Sequence, residues 1–516
     1  MMKVRRLLVV GWIFGLAACA VGPSYRTPKP DLPPAFTSPG GANPAAATAQ
    51  SAATAQTGAT AVAAPDLATW WRSLNDEELN SLVDRAVKSN LDLEIALDRL
   101  QQARTYEAVV VGDALPTVDA SAAAGRGTGS DLTKGRADQA LRSADNGAGL
   151  QHINKIAGFD AVWELDLFGK FRREIEAARD DTESARAARY DVLTSVVADV
   201  VRAYVDLRGL QVRAGILRKA SDVLRESLRI VNIRYERGIT NELDVALATR
   251  ELATLEAQLA PVEAQVSAAQ YTLAVLVGEY PGNMVKELSK PDLVPTMPAP
   301  TAPGVPLDLL RRRPDIQVAE RELAANTARI GVATANLFPQ VTLSAAIGSQ
   351  GQGWGTSPST TAHIWSFGPG AVWPLLDFGA LDAQVDIAGL AAHASLVNYR
   401  KTLLTAVQQV DTALDAYQAQ QQRMDKLSTA MLAGQRAVDL STARYNRGLT
   451  DFLNVVDAER QFYDLQEQYA QAQVDQGEQF VQLYKSLGGG WQNYQTVPAI
   501  RRPQPAIVAA FRRIFE

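Results

Sequence analysis

Arg234-Tyr-Glu-Arg-Gly-Ile-Thr-Asn-Glu-Leu-Asp-Val245 and Arg444-Tyr-Asn-Arg-Gly-Leu-Thr-Asp-Phe-Leu-Asn-Val455 are two copies of one motif, 210 positions apart. Arg234/Arg444, Tyr235/Tyr445, Arg237/Arg447, Gly238/Gly448, Thr240/Thr450, Leu243/Leu453, Val245/Val455, Ala248/Ala458 and Arg250/Arg460 are identical at that offset. Far upstream, Trp163, Leu165, Phe168 and Gly169 match Trp373, Leu375, Phe378 and Gly379 at the same offset. Chance matches scatter over many offsets, so the chain is a tandem duplication of a large unit. Its period is too long for a solenoid of short repeats.

Working outward from the motif, each glycine suits the left-handed residue that ends a helix. Thr240 and Thr450, two residues on, suit the N-cap of the next helix. The pattern from Gly169 to Gly238, and from Gly379 to Gly448, is helical and free of proline. Each stretch spans about 100 Å as a helix. Leu403, Val410, Tyr417, Met424, Met431, Val438 and Tyr445 recur every seventh residue, as do Leu210, Leu217, Leu224 and Val231. A sustained heptad means helices wrapped on other helices with left-handed packing. Second helices follow the turns, over about 240–277 and 450–487. The turn is either purely structural or also a docking surface; Arg237 and Arg447 are candidate contacts there, or plain C-terminal dipole partners.

Upstream of each long helix the period changes to two. After Pro116, Val118, Ala120, Ala122 and Ala124 alternate with polar residues; after Pro339, Val341, Leu343, Ala345 and Ile347 do the same. Gly/Ser/polar loops are expected at 125–150 and 348–362. Return strands follow, with Ala157, Phe159, Ala161, Trp163 and Leu165 on one face, and Trp365, Phe367, Pro369, Ala371, Trp373 and Leu375 on the other copy's face. An apolar face with aromatics at Phe159, Trp163, Trp365, Phe367 and Trp373 suits the girdles of an outer-membrane barrel. Four strands cannot close a barrel, and open edges are not tolerated in lipid. Two chains give eight strands, too narrow for a passage; three give twelve, with a lumen.

The fold class is therefore mixed α+β, mostly α, internally duplicated: long antiparallel coiled-coil hairpins forming an α-barrel plus four transmembrane strands per chain. The expected segments are a signal peptide at 1–18; a lipid anchor, extended segment and Ala/Thr-rich tether at 19–74; and a first repeat at 75–290, with a β-hairpin at 116–168 and a helical hairpin at 169–278. A linker at 291–316, a second repeat at 317–490 (β-hairpin 339–378, helical hairpin 379–487) and a tail at 491–516 complete the chain.

The chain carries a net charge of −5 and is 47% hydrophobic. That composition is globular, and no basic excess points to nucleic acid. The single cysteine, Cys19, follows a basic start and the apolar run Leu7 to Ala17. This reads as a secretory signal peptide. Leu16-Ala-Ala-Cys-Ala20 resembles a bacterial lipobox, so Cys19 is the expected lipidation site. Acylation would anchor the chain without spanning the membrane, and Ala20 favours the outer membrane.

Enzyme and metal readings fail. His152, His363 and His393 are not at ligand spacing, and neither a phosphate loop nor a serine elbow is present. No cofactor is expected. Arg311-Arg312-Arg313-Pro314 is a basic patch beside a helix-starting proline, and three charges do not make a nucleic-acid site.

The ordered set of Cys19-Ala-Val-Gly-Pro-Ser-Tyr-Arg-Thr-Pro28, the two Trp…Phe-Gly strand ends, Leu309-Leu-Arg-Arg-Arg-Pro-Asp-Ile316, both Arg-Tyr-x-Arg-Gly turns and Leu487-Gly-Gly-Gly-Trp491 resembles the TolC-like outer-membrane factors of the lipidated NodT/OprM type. The resemblance spans nearly the whole chain after Cys19. It implies a homotrimer with a twelve-stranded barrel in outer-membrane lipid and an α-barrel reaching into the periplasm. It implies the outer-membrane channel of a tripartite efflux system, with a periplasmic adaptor and an inner-membrane resistance-nodulation-division (RND) pump as partners. An ATP-driven protein or peptide secretion duct is the alternative, and a non-conducting periplasmic scaffold a second. The four amphipathic strands oppose the scaffold.

The family closes its periplasmic end with side-chain rings just past the turns. Asp457 matches that pattern; Asn454 stands where TolC itself has an aspartate, and Asp244 is its first-repeat equivalent. Asn454 and Asp457 share one helical face. A threefold carboxylate ring would repel itself and attract cations. The alternative is that these are solvated positions on an amphipathic helix. By the same resemblance, Arg237, Gly238, Thr240, Arg447, Gly448 and Thr450 would form the adaptor-docking tips.

Overall fold

The computed structural model describes residues 20–29, 33, 36–37, 66–127, 152–298, 309, 312–354 and 360–496. Cys19, the expected lipidation site, lies outside them. The elements in chain order are α1 (Glu77–Ser89), α2 (Leu91–Asp113), β1 (Thr117–Gly127), β2 (His152–Leu165), α3 (Lys170–Glu236), α4 (Glu242–Val277), α5 (Pro281–Glu287), α6 (Pro314–Ala335), β3 (Gln340–Trp354), β4 (Thr360–Val372), α7 (Ala380–Asn446) and α8 (Phe452–Ser486). The two long helices α3 and α7 each have 67 residues. No helix among the described residues is long and apolar enough to cross a membrane.

The chain divides into two compact units. The first lies within Met1–Pro28, Leu100–Ala185 and Ala319–Tyr399. Its centre is an antiparallel sheet in the order β1-β2-β3-β4. Alternation puts Val118, Ala120 and Ala122 on the same face as Phe159, Ala161 and Trp163, and the pairs Phe159↔Ile347, Trp163↔Leu343 and Ile347↔Trp365 extend that face across the sheet. Its large side chains are exposed: Val118, Phe159, Trp163, Ile347, Trp365 and Phe367. An apolar face that meets no other layer among the described residues is unlike a globular sheet and matches one solvated by lipid.

Both β-hairpins are built alike. The tryptophan indole N–H of each donates to a carbonyl two residues before the strand-starting proline: Trp163 to Ala114 at 3.1 Å and Trp373 to Leu337 at 3.0 Å. Strand β3 reaches Trp354, and β4 begins at Thr360, so the second loop is shorter than the 348–362 expected. Pairing with His152–Ala157 of β2 carries the Gly/Ser/Gln stretch as strand despite its lack of apolar alternation. Strand β4 ends at Val372, not at Leu375, because Pro374 has no N–H to continue the ladder.

The start of the described chain is clasped onto this unit. Val21 N–H donates to Phe168 O at 3.1 Å. The buried Arg173 donates to Val21 O, Gly22 O and Ser24 Oγ at 3.2, 3.2 and 3.3 Å. Gly22 packs so closely on the backbone of Gly331 that a Cβ would lie 2.5 Å from its Cα. Residue 20 is thereby held against Gly169, at the helix-side end of β2.

The second unit lies within Lys29–Arg99, Arg186–Val318 and Arg400–Glu516. Its core joins Trp70, Trp71, Leu79, Leu82, Leu193, Val197, Val201, Tyr204, Phe480 and Tyr484. The assignment of residues up to 74 to a tether is corrected here. Leu67–Leu74 is a 3-10 helix, and Trp70 and Trp71 are among the most buried side chains in the chain. Two adjacent tryptophans bury more apolar area than solvation of a short segment can offset. The tail expected from residue 491 also begins later: Trp491 is buried, stacks on Tyr190 at 4.6 Å and donates to Arg312 O at 3.0 Å.

Helices α3 and α8 approach through a pair of glycines. A Cβ on Gly477 would sit 2.7 Å from Val205 Cγ1, and one on Gly209 would strike Val474. The heptad residues Leu217, Leu224, Val231, Leu403, Val410, Tyr417 and Tyr445 are buried, which agrees with the seven-residue pattern. Buried Arg208 is held by Glu78, by Gln211 at 2.8 Å and by Lys290 O at 2.9 Å.

Candidate gate and docking tips

Both helical hairpins turn by one device. Gly238 and Gly448 adopt φ 68 and 72. Gly238 N–H donates to Tyr235 O and Ile239 N–H to Arg234 O, both at 2.8 Å; Gly448 to Tyr445 O and Leu449 to Arg444 O, both at 2.9 Å. This paired closure satisfies the last carbonyls of α3 and α7 and needs a left-handed residue. No atom lies within 4 Å of a Cβ placed on either glycine, so backbone conformation alone demands glycine there.

The expected N-caps move by one residue. Asn241 caps α4, its Oδ1 accepting from Asp244 N–H at 3.2 Å. Asp451 occupies the N-cap of α8, with its backbone carbonyl accepting from Asn454 N–H at 3.2 Å. The tip threonines instead brace the following helix: Thr240 Oγ1 donates to Asp244 Oδ2, and Asn454 Nδ2 donates to Thr450 Oγ1 at 2.8 Å.

The three candidate gate residues have different surroundings. Asn454 and Asp457 stand one turn apart on the exposed face of α8, while Asp244 is partly covered on α4. Asp457 accepts from Gln461 Nε2 at 2.7 Å and pairs with Arg460 at 3.4 Å. Asp244 and Asn454 are thus tied to their turns, and Asp457 is held by its own helix. Within one chain Asp244 is not a partner of either α8 residue.

The tips also present apolar side chains. Ile239 and Leu449 occupy the same turn position and are 61% and 62% exposed; Leu243 and Leu453 stand beside them, also exposed. Arg237 and Arg447 are exposed next to these residues.

Three features at the tips escaped the sequence reading. Val231, Ala248, Tyr445, Phe452, Val455 and Val456 form one small core between the two hairpins. The Arg234 guanidinium lies 4.4 Å from the Tyr445 ring centroid. Burial raises the Tyr445 hydroxyl above its ordinary pKa, and Arg234 opposes that shift. The repeated Arg-Tyr pair was visible in sequence, but only Tyr445 is buried, whereas Tyr235 is exposed. The third feature is Glu459, two residues past Asp457 and 4% exposed. Burial first, and the nearby Glu251 second, push its carboxyl up to about 7, opposed by a hydrogen bond with Ser227.

The aromatic positions of the sheet occupy two levels. Trp163 pairs with Leu343 near the helix-side end, and Trp373 lies just past β4. Phe159 and Trp365 share the Ile347 row, four residues or roughly 14 Å further along. Phe367 lies between these levels, and β3 continues beyond them to Trp354.

A family model described as "Outer membrane efflux protein" matches residues 82–279 and 305–489. Nodulation protein T of Rhizobium leguminosarum bv. trifolii is 30% identical over 476 residues, covering 92% of this chain and 95% of that protein. Pyoverdine export outer membrane protein OpmQ of Pseudomonas aeruginosa is 31% identical over 435 residues, covering 83% and 89%. Among solved structures, the outer-membrane channel OprN aligns with a TM-score of 0.78 and 33% identity over 92% of this chain and 100% of that one. The duplicated hairpins, the lipid-type sheet and these likenesses agree: the chain belongs to the outer membrane efflux protein family.

Proposed function

We propose that the protein is a homotrimeric outer-membrane duct that conducts small toxic compounds from the periplasm to the exterior. In this reading an RND pump in the inner membrane feeds it through a periplasmic adaptor. The observation that carries it is the sheet. One face is apolar and exposed, and β1 and β4 are edge strands. Such edges are costly in lipid until paired, and three copies supply twelve strands, enough for a lumen. The names of relatives favour small molecules over proteins as cargo: one is named for pyoverdine export and another for toluene efflux.

The periplasmic end would close at the hairpin tips. Asp457, with Asn454 one turn before it, would narrow the pore as a ring in the trimer, and Asp244 would contribute from the first repeat. Opening is a population shift. The core around Tyr445 and Phe452 and the Arg234 contact hold the two hairpins together. An adaptor that covers Ile239, Leu243, Leu449 and Leu453 would compensate for their separation, with Arg237, Gly238, Thr240, Arg447, Gly448 and Thr450 forming the docked turns. Acylation of Cys19 would add an anchor at the membrane. The clasped segment after it supports this placement, because residue 20 sits at the end of β2. The aromatics Phe159, Trp163, Trp365, Phe367 and Trp373 would face lipid.

Planar-bilayer recording tests the reading. The wild-type protein should show low conductance, and Asp457→Ala combined with Asp244→Ala should raise it. An outer-membrane-assembled double variant with no conductance would overturn the channel.

A further inference from the structure

One layer of the helical bundle near the tips is polar where the layers on either side are apolar. Leu224 of α3, Leu255 of α4 and Tyr463 of α8 belong to one apolar cluster. Val231 of α3, Ala248 of α4 and Val456 of α8 belong to the next, towards the tips. On each helix one position stands between the two clusters, three residues from one and four from the other: Ser227, Glu251 and Glu459. That spacing keeps a residue on the same helix face as its apolar neighbours. The three helices thus bring a hydroxyl and two carboxyls to one seam between the helical hairpins, because α3 and α4 form the first hairpin and α8 belongs to the second.

The layer does not satisfy itself when charged. Glu459 is 4% exposed, and its Oε2 has no hydrogen-bond partner. From α4 it meets the like charge of Glu251, and from α3 a hydrogen bond with Ser227. One turn on along α8 stands Tyr463, whose hydroxyl is pushed above its ordinary range by burial first and by Glu459 second. The arginines around the layer are engaged with other acids. Arg225 holds Glu256 and Asp222, Arg229 holds Glu226, and Arg460 holds Asp457. Arg250 reaches Glu251 at 3.6 Å from a largely exposed position. On α7, Arg436 and Asp439 are exposed at this level. A polar layer that only fixes register finds its partners within the layer. Here two carboxyls of one sign meet in a dry seam, and ionising both costs repulsion and desolvation together. A proton on Glu459 removes both costs.

We propose that Glu459 is a proton-operated latch between the two helical hairpins. Protonated, it lets α8 pack on α3 and α4. When the proton passes to water, repulsion from Glu251 and the demand of the charge for hydration part them. This rests on the gating reading above and deepens it by naming the ligand that biases the tips from inside the chain. The joined state binds the proton more tightly, because burial first and Glu251 second raise the carboxyl to about 7, against an ordinary value of 4.5 once hydrated. Acid therefore favours joined tips. The ratio of separated to joined tips rises from about pH 4.5, levels off near 7, and changes by about 300-fold at most.

The test uses the full-length protein in planar bilayers, with the pH on the tip side stepped from about 4.5 to about 7.5. The wild-type open fraction should climb by more than about tenfold over that range. Glu459→Gln, of the same shape and uncharged throughout, should stay at the acid value. Glu459→Asp, which keeps the acid, should keep the climb. Glu251→Gln removes the opposing charge, so its climb should be smaller and end at lower pH. A flat wild-type profile overturns the latch, and so does an equal climb in Glu459→Gln, which would place the titration elsewhere, as in an Asp457 ring. Opening or closing by added calcium at fixed pH, lost in Glu459→Gln, would make the layer a cation site and overturn the proton. Each of these leaves the channel reading standing as long as Asp457→Ala with Asp244→Ala conducts. Silence of that assembled double variant at every pH overturns the channel, and the latch with it.

Discussion

Replacing Tyr445 by Ala should unlock the tips. The ring is 8% exposed and forms the shared wall between the hairpins, against Phe452 at 5.2 Å and under Arg234. Burying an aromatic ring removes about 200 Å² from water, and deletions of this kind cost about 3–5 kcal/mol. The Arg234 contact adds about 0.5–1 kcal/mol, because that side chain is only partly covered. The lower end, about 3 kcal/mol, multiplies the ratio of separated to joined tips by about 150. The cost falls on the joined state alone, so it should appear as opening rather than unfolding. Single-channel recording should show a much larger open fraction for Tyr445→Ala, and Tyr445→Phe, which keeps the ring, should behave as wild type. Hydrogen exchange should accelerate around Val231–Ala248 and Tyr445–Val456 and remain slow in the Trp70–Tyr484 core. A Tyr445→Ala trimer with wild-type conductance and unchanged exchange at the tips would refute the claim that this contact holds them.

Further outcomes follow from other residues. Glu459 is neutral in the fold up to pH about 7, whereas an ordinary glutamate ionises near 4.5. Its folded value is raised, so the stability it contributes is complete below about 4.5 and is lost as pH rises to about 7. Glu459→Gln should match wild type at pH 4 and exceed it above pH 7 by up to about 3 kcal/mol, read as a widening gap in melting temperature; a constant gap would contradict this. Gly477→Val should clash with Val205 and Met297, costing about 1–3 kcal/mol, visible as a lowered melting temperature, while Gly389→Val, with open space around it, should not clash. Gly448→Ala should cost about 1 kcal/mol through backbone strain alone, seen as faster amide exchange at Leu449 with little change in global melting.

Local signals carried the architecture. The paired turns, Pro116 and Pro339, and the switch from heptad to alternation located the long helices and the hairpins. The strand ends were misplaced in two ways: alternation ran on to Leu375 although β4 stops at Val372 before Pro374, and it gave no signal at Gly348–Trp354, where the partner strand rather than the residues themselves defines the element. Trp70 and Trp71 were hidden by the alanine-rich stretch before them; their burial depends on Phe480 and Tyr484, far away in sequence. The sequence reading placed the caps at Thr240 and Thr450, and the backbone closure at Ile239 and Leu449 moves them one residue on, to Asn241 and Asp451. The small core at the tips joins Val231 and Tyr445, both at heptad positions, to Phe452; the heptad marks these faces as buried but does not say which helix covers them. Glu459 was not singled out in the sequence, because its burial is set by neighbours on other helices, Glu251 and Ser227 among them.

The central claim is that the tips receive the adaptor of an efflux pump. The direct measurement places a single cysteine at Leu449, bearing a photo-crosslinker, in living cells, with the captured partner identified by mass spectrometry. The account predicts capture of a periplasmic adaptor that serves an RND pump. Capture of an ATP-driven exporter's adaptor, or of no adaptor while the protein is abundant in the outer membrane, would contradict it.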